Sequence, residues 1–140
     1  MPAKSFLDTN VLVYTFDATA PRKRERAREI VAVALQSGRA CLSYQVAQEF
    51  LNVATTKFAT PMDPAECRDY LRSVLMPLCR IWPDEDLYVH ALSIQAVYRY
   101  GWYDSLILAS AKRAGCAELL TEDMQADQVV EGVRIVDPFR

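Results

Sequence analysis

Lys4-Ser5-Phe6-Leu7-Asp8-Thr9-Asn10-Val11-Leu12 opens the chain with a short apolar run, an acid, two small polar residues and a second apolar run. Lys4 to Leu7 reads as a first strand that stops at Asp8, and Val11 to Phe16 as the opening of a helix. The same alternation repeats downstream. Pro21 starts a helical stretch to about Gln36, closed by Ser37-Gly38, with Ala27, Ile30, Val31, Ala34 and Leu35 at helical spacing. Ala40 to Leu42 is a second strand, followed by a helix from about Tyr44 to Phe58. Asp63 is the expected N-cap of a helix that reaches about Leu75, before Pro77. Leu78 to Trp82 is a third strand. Asp84 to Tyr100 is the clearest helix, since Leu87, Ala91, Ile94 and Tyr98 recur at spacings of four, three and four, and Gly101 is expected to end it. Another helix opens at Asp104 and runs through Ala114 to Gly115. Glu118 to Thr121 and Val133 to Val136 are the fourth and fifth strands. Short apolar strands alternating with helices predict an α/β fold with a mainly parallel sheet and helices on both faces. In such sheets ligands bind at the carboxyl ends of the strands.

The chain has 140 residues, the size of one ordinary domain, so residues 1–140 are expected to form a single unit. Half of it is apolar and about a quarter is charged, which excludes a disordered chain. Eighteen acids against sixteen bases leave a net charge of −2 and no global field for nucleic acid. A nucleic-acid substrate must meet local basic patches or bind through metal ions. The four cysteines form no Cys-x-x-Cys pair and there is one histidine, His90, so a zinc site is not expected. Met1 to Ser5 does not read as a signal peptide and no apolar run reaches transmembrane length, so the expected setting is the cytoplasm, with reduced thiols.

Four acids stand in unusual places. Asp8 follows a strand and precedes a helix; it fits a ligand at the mouth of the sheet and a helix N-cap equally. Glu49 lies three residues after Val46 and four before Val53, so it shares or borders an apolar helix face. A carboxylate there is costly unless paired or bound to metal, or unless its head group reaches water from an edge position. Asp104 follows Gly101-Trp102-Tyr103 and could simply cap its helix. Asp123 follows Leu119-Leu120-Thr121 at the end of the fourth strand, with Asp127 a rival four residues on. Clustered carboxylates imply a cation or shifted pKa values. Oxygen ligands with few histidines suit Mg²⁺ or Mn²⁺ and metal-assisted phosphoryl chemistry.

At these residues the chain resembles the PIN-domain nucleases, in particular the VapC-type toxins of bacterial toxin–antitoxin pairs. The matching pieces are Phe6-Leu7-Asp8-Thr9-Asn10-Val11-Leu12, Ser43-Tyr44-Gln45-Val46 with Glu49-Phe50, Tyr103-Asp104-Ser105-Leu106-Ile107-Leu108-Ala109-Ser110-Ala111, and Leu119-Leu120-Thr121-Glu122-Asp123. The resemblance implies a three-layer α/β/α sandwich in which Asp8, Glu49, Asp104 and Asp123 hold one or two Mg²⁺ or Mn²⁺ ions for cutting RNA. It also implies support from Thr9, Asn10 and Thr121, a homodimer, and a cognate antitoxin that covers the groove. In this expectation metal-bound water is the nucleophile, and no side chain attacks.

Other features divide between structure and function. Arg22, Lys23, Arg24, Arg26 and Arg28, interleaved with Glu25 and Glu29, read first as a solvated helix face, with contact to RNA phosphates the alternative. Tyr44, Trp102 and Tyr103 flank the acids as core or interface residues, or as platforms for unpaired bases. His90 reads as structural or exposed. The competing functions are a housekeeping RNA-processing or structure-specific DNA nuclease, a non-catalytic PIN-fold binding module, an aspartyl phosphotransferase and a phosphoacceptor receiver. Asp8-Thr9-Asn10 lacks the second acid two residues on that the phosphotransferase needs. A receiver places its acceptor on a later strand.

Overall fold

The protein is described by a computed structural model covering residues 3–140. Six strands form one sheet: β1 (Ser5–Leu7), β2 (Ala40–Ser43), β3 (Cys79–Ile81), β4 (Glu118–Leu120), β5 (Val129–Val130) and β6 (Val133–Val136). Their spatial order is β3-β2-β1-β4-β6-β5, parallel throughout except for the antiparallel β5–β6 pair. Phe6 in β1 pairs with Cys41 on one side and Leu119 on the other. Both Phe6 and Leu7 are wholly buried, and every residue of β2 is buried, as a parallel sheet covered on both faces requires.

Helices lie on both sides. They are α1 (Thr9–Tyr14), α2 (Pro21–Ser37), α3 (Tyr44–Thr56), α4 (Pro64–Tyr70), α5 (Met76–Leu78), α6 (Glu85–Tyr98) and α7 (Trp102–Arg113). α1 packs against α2 and α3, while α6 lies along α7, which reaches β2, β4 and β6. Every residue of α7 from Ser105 to Ala111 is buried, so this stretch of the helix is covered on every side. Its two serines are satisfied locally: Ser110 Oγ donates to the Leu106 carbonyl and Ser105 Oγ to that of Tyr100.

Several local expectations hold and several shift. Pro21 does open α2, and Gly38 at φ 67° closes it. Asp63 caps α4 in a reciprocal box with Glu66. The helical path does not stop before Pro77: it passes through a π-helical turn, Leu71–Leu75, and continues as α5 to Leu78. Pro77 is tolerated because it lies in the first turn of α5. β3 accordingly starts at Cys79 and ends at Ile81. α6 ends at Tyr98, with Arg99 rather than Gly101 taking the left-handed cap, at φ 67°. Gly101 instead precedes α7, which starts at Trp102, two residues earlier than the sequence suggests. β5 was not expected. It pairs Val130 with Val133 around Glu131-Gly132, both at positive φ, as a two-residue hairpin turn demands. His90, half-buried on α6, meets the Glu131 carboxylate of that turn at 3.0 Å, which is its structural role. All four cysteines are free thiols, and among the described residues no helix is long and apolar enough to cross a membrane.

The chain runs outward from β1 through β2 to β3, then crosses back to β4 on the other side of β1. The strand order therefore reverses between β1 and β4, and a crevice opens at their carboxyl ends. Asp8 leaves β1 there, and Thr121 and Asp123 leave β4.

Candidate active site

Asp8 is only 7% exposed. It is the N-cap of α1, yet its side chain takes just one backbone N–H, that of Thr9, on Oδ1 at 2.7 Å. Its other oxygen, Oδ2, accepts from the Thr121 hydroxyl at 2.8 Å. Capping and site geometry are thus divided between the two oxygens of one carboxylate. Burial pushes its pKa up to about 6; the hydrogen bonds from Thr121 and Thr9 pull it down, while the Glu49 and Asp123 charges add to the rise.

Thr121 is the hub, wholly buried. Its hydroxyl donates to Asp8 and accepts from Asn10 Nδ2 at 3.0 Å and from the Asp123 backbone N–H at 3.1 Å. Asn10 Nδ2 also donates to Asp123 Oδ2 at 3.0 Å. The other amide atom, Asn10 Oδ1, is buried without a partner among the described residues. Thr9, the first residue of α1, donates its hydroxyl to Glu49 Oε1 at 2.8 Å. The Asp8-Thr9-Asn10 sequence thereby reaches two of the other acids by direct hydrogen bonds.

Asp104 occupies the first turn of α7 and is not its cap; Gly101 holds that position and offers no side chain. Burial raises the Asp104 pKa first, and the Asp123 charge adds to it. Asp123 is therefore an electrostatic neighbour of both Asp8 and Asp104, and Glu49 of Asp8. Asp127 is not brought to this crevice. Its backbone sits at φ 70° and its exposed carboxylate pairs with Arg134 at 3.0 Å and Arg140 at 2.9 Å, which together lower its pKa.

The donor set is carboxylates, two threonine hydroxyls and an amide oxygen, which suits a hard divalent cation. Among the described residues no three acid, cysteine or histidine side chains are already grouped round one point. The bonds above give the reason: Asp8, Glu49 and Asp123 are each turned onto a hydroxyl or amide donor.

Two neighbouring features complete the crevice. Tyr44, Gln45, Tyr88, Trp102 and Tyr103 help to line a cavity of about 390 Å³, and Gln45 Nε2 donates to the Tyr103 carbonyl at 3.2 Å. The second was not foreseen. Glu122, beside Asp123, accepts from the Tyr14 hydroxyl and forms an ion pair with Lys23 at 2.9 Å. These partners lie 108 and 99 positions away, so no local pattern could announce the trio.

Known structures agree with this architecture. The chain is 21% identical to a protein in a toxin–antitoxin complex from Klebsiella pneumoniae, covering 96% of this chain and 98% of that one at a TM-score of 0.69. It is 23% identical to a chain of DNA-bound VapBC from Salmonella typhimurium, with 97% and 98% covered and a TM-score of 0.66. It is 16% identical to VapC20 of Mycobacterium tuberculosis, described as a sarcin–ricin loop cleaving toxin, with 83% and 87% covered and a TM-score of 0.61. No curated protein sequence matches. The family described as PIN domain matches residues 5–132, which takes in every strand but the last together with all four acids; the chain belongs to the PIN domain family.

Proposed function

We propose that the chain is a divalent-metal-dependent endoribonuclease of the VapC type, the toxin of a toxin–antitoxin pair, with residues 1–140 acting as one nuclease domain. The observation that carries this reading is the hydrogen-bonded junction of Asp8, Asn10, Thr121 and Asp123 in the β1–β4 crevice, with Glu49 and Asp104 in electrostatic reach of it. Further support comes from structurally similar proteins described as toxin–antitoxin complexes, and from one described as cutting the sarcin–ricin loop.

Asp8, Glu49, Asp104 and Asp123 would hold Mg²⁺ or Mn²⁺. When bound, such an ion supplies a water of lowered pKa and neutralises charge on phosphate oxygens. The protein's own contribution is orientation. Thr121 and the Thr9 N–H fix the Asp8 carboxylate from both sides, Thr9 positions Glu49, and Asn10 positions Asp123. Burial of Asp8 makes its charge costly, so the crevice favours any cation that relieves it. A homodimer and a cognate antitoxin over the groove belong to the same reading. The exposed apolar side chains of Tyr88, Val89 and Leu92 on α6 support a protein contact there.

The test is incubation of the purified protein with structured and single-stranded RNAs, in Mg²⁺, in Mn²⁺ or in EDTA. Cleavage in either metal and its loss in EDTA is the expected result. Cleavage that persists in EDTA would overturn the metal role, and cutting of DNA alone would overturn the substrate.

A further inference from the structure

After β6 the chain turns back over the first turns of α2. Arg22, Lys23, Arg26 and Arg140, with Pro138 and Phe139, line a cavity of about 200 Å³ there. Four of the six lining side chains are cationic and none is acidic. The returning segment is held in place: Arg26 Nε donates to the Pro138 carbonyl at 3.3 Å, and the Phe139 ring meets Tyr14 edge-on at 4.9 Å. Lys23 is fixed by Glu122 at 2.9 Å and lies 5.0 Å from the centre of the Tyr14 ring. Arg140 is fixed by Asp127 at 2.9 Å, and Arg26 leans on Glu29 at 3.6 Å. These carboxylates orient the cations without lining the cavity. Exposed pairs of this kind contribute little each, so a stronger anion can draw on the same cations.

We infer that this cavity seats a backbone phosphate of the RNA strand, next to the phosphate that is cut. The inference rests on the endoribonuclease reading above and names where its substrate is gripped. Size permits the group: a cavity of about 200 Å³ has room for a phosphodiester. Charge selects it. The chain as a whole is at −2, so RNA needs a local cluster, and guanidinium groups are suited to phosphate oxygens. Position links it to the chemistry, since Glu122, which holds Lys23, is the residue before Asp123. The basic run of α2 is therefore more than a solvated face. Arg28 turns away to the Thr15 carbonyl, while Arg22, Lys23 and Arg26 point to one cavity.

The test is the full chain carrying Arg22→Gln and Arg26→Gln together, with Arg22→Lys and Arg26→Lys as the conservative pair. Binding of a single-stranded RNA is measured in EDTA across a salt series, and cleavage is measured in Mg²⁺. The glutamine pair is expected to raise KM about tenfold with kcat nearly unchanged. It should also flatten the slope of log affinity against log salt by about 0.7 for the lost phosphate contact. The lysine pair should keep the slope. Unchanged KM and slope would overturn the inference, as would a fall in kcat at constant KM. So would loss of binding to an acidic protein partner with RNA binding intact. The salt slope needs no cleavage, so a wild-type protein that cuts nothing yet shows the slope difference counts against the nuclease reading alone.

Discussion

Asp8→Asn is expected to lower RNA cleavage by at least about 100-fold while making the metal-free protein more stable at neutral pH. The first effect follows from position. Loss of outer-shell partners alone costs about 10–100-fold in metal affinity or activity, and Asp8 is proposed to touch the ion itself. The second follows from burial. The Asp8 pKa is raised from 3.8 to about 6 in the fold, so the native state binds a proton more tightly than the unfolded chain does. Stability therefore falls as pH rises from 3.8 through 6, and the full penalty is present above pH 6. Two pKa units correspond to about 3 kcal/mol, which bounds what asparagine recovers at pH 7.5. The gain is smaller than that bound because the new amide must compete for a Thr121 oxygen that already accepts two hydrogen bonds. Thermal melts in EDTA at pH 7.5 and pH 4 should show a variant that is more stable at the first and level with wild type at the second. Added Mn²⁺ should raise the wild-type Tm and leave the variant unmoved.

Thr121→Val is expected to cost about 3 kcal/mol of stability and about 10–100-fold of activity. Valine keeps the shape of threonine and removes only the hydroxyl. That hydroxyl serves Asp8 Oδ2, Asn10 Nδ2 and the Asp123 N–H in a wholly buried position. Asn10 retains Asp123 as a partner and the part-buried Asp123 N–H can turn to water, but the buried Asp8 Oδ2 loses its donor, and an unpaired buried group costs about 1–3 kcal/mol, more when charged. Thr121→Ser restores the hydroxyl and should recover most of both losses. Urea denaturation and initial cleavage rates together check this. A fully active, fully stable valine variant would show that Thr121 does not organise the crevice.

The fold was legible where signals are local and redundant. α2 carries a proline start, a helical apolar stripe and a glycine stop, and all three agree with the structure. β1 and β2 read as strands because each carries a short continuous apolar run, Phe6-Leu7 and Ala40-Cys41-Leu42, and the structure buries both runs. Legibility failed where two residues compete for one role. Gly101 looked like the end of α6, yet Arg99 takes the left-handed cap and frees Gly101 to precede α7. β5 is two residues long, too short to carry a period, and exists through its pairing with β6.

The site divides in the same way. Asp8, Thr9 and Asn10 were visible as one motif, and their bonds to Glu49 and Asp123 bring separate segments to it. The choice between Asp123 and Asp127 could not be made from spacing, because both follow β4. In the structure Asp127 sits at positive φ and pairs with two arginines, while Asp123 is hydrogen-bonded to Asn10 and Thr121. The cavity of Arg22, Lys23, Arg26 and Arg140 joins residues more than a hundred positions apart, which sequence periodicity does not address.

The central claim is that these acids form one divalent-ion site, and crystals grown with Mn²⁺ test it most directly through anomalous scattering. The expected result is a peak in the β1–β4 crevice bound by Asp8 and Asp104, with Glu49 or Asp123 completing the oxygen ligands. A protein that cleaves RNA in Mn²⁺ yet shows no peak there, or a peak only at acids elsewhere such as Asp127, would contradict it.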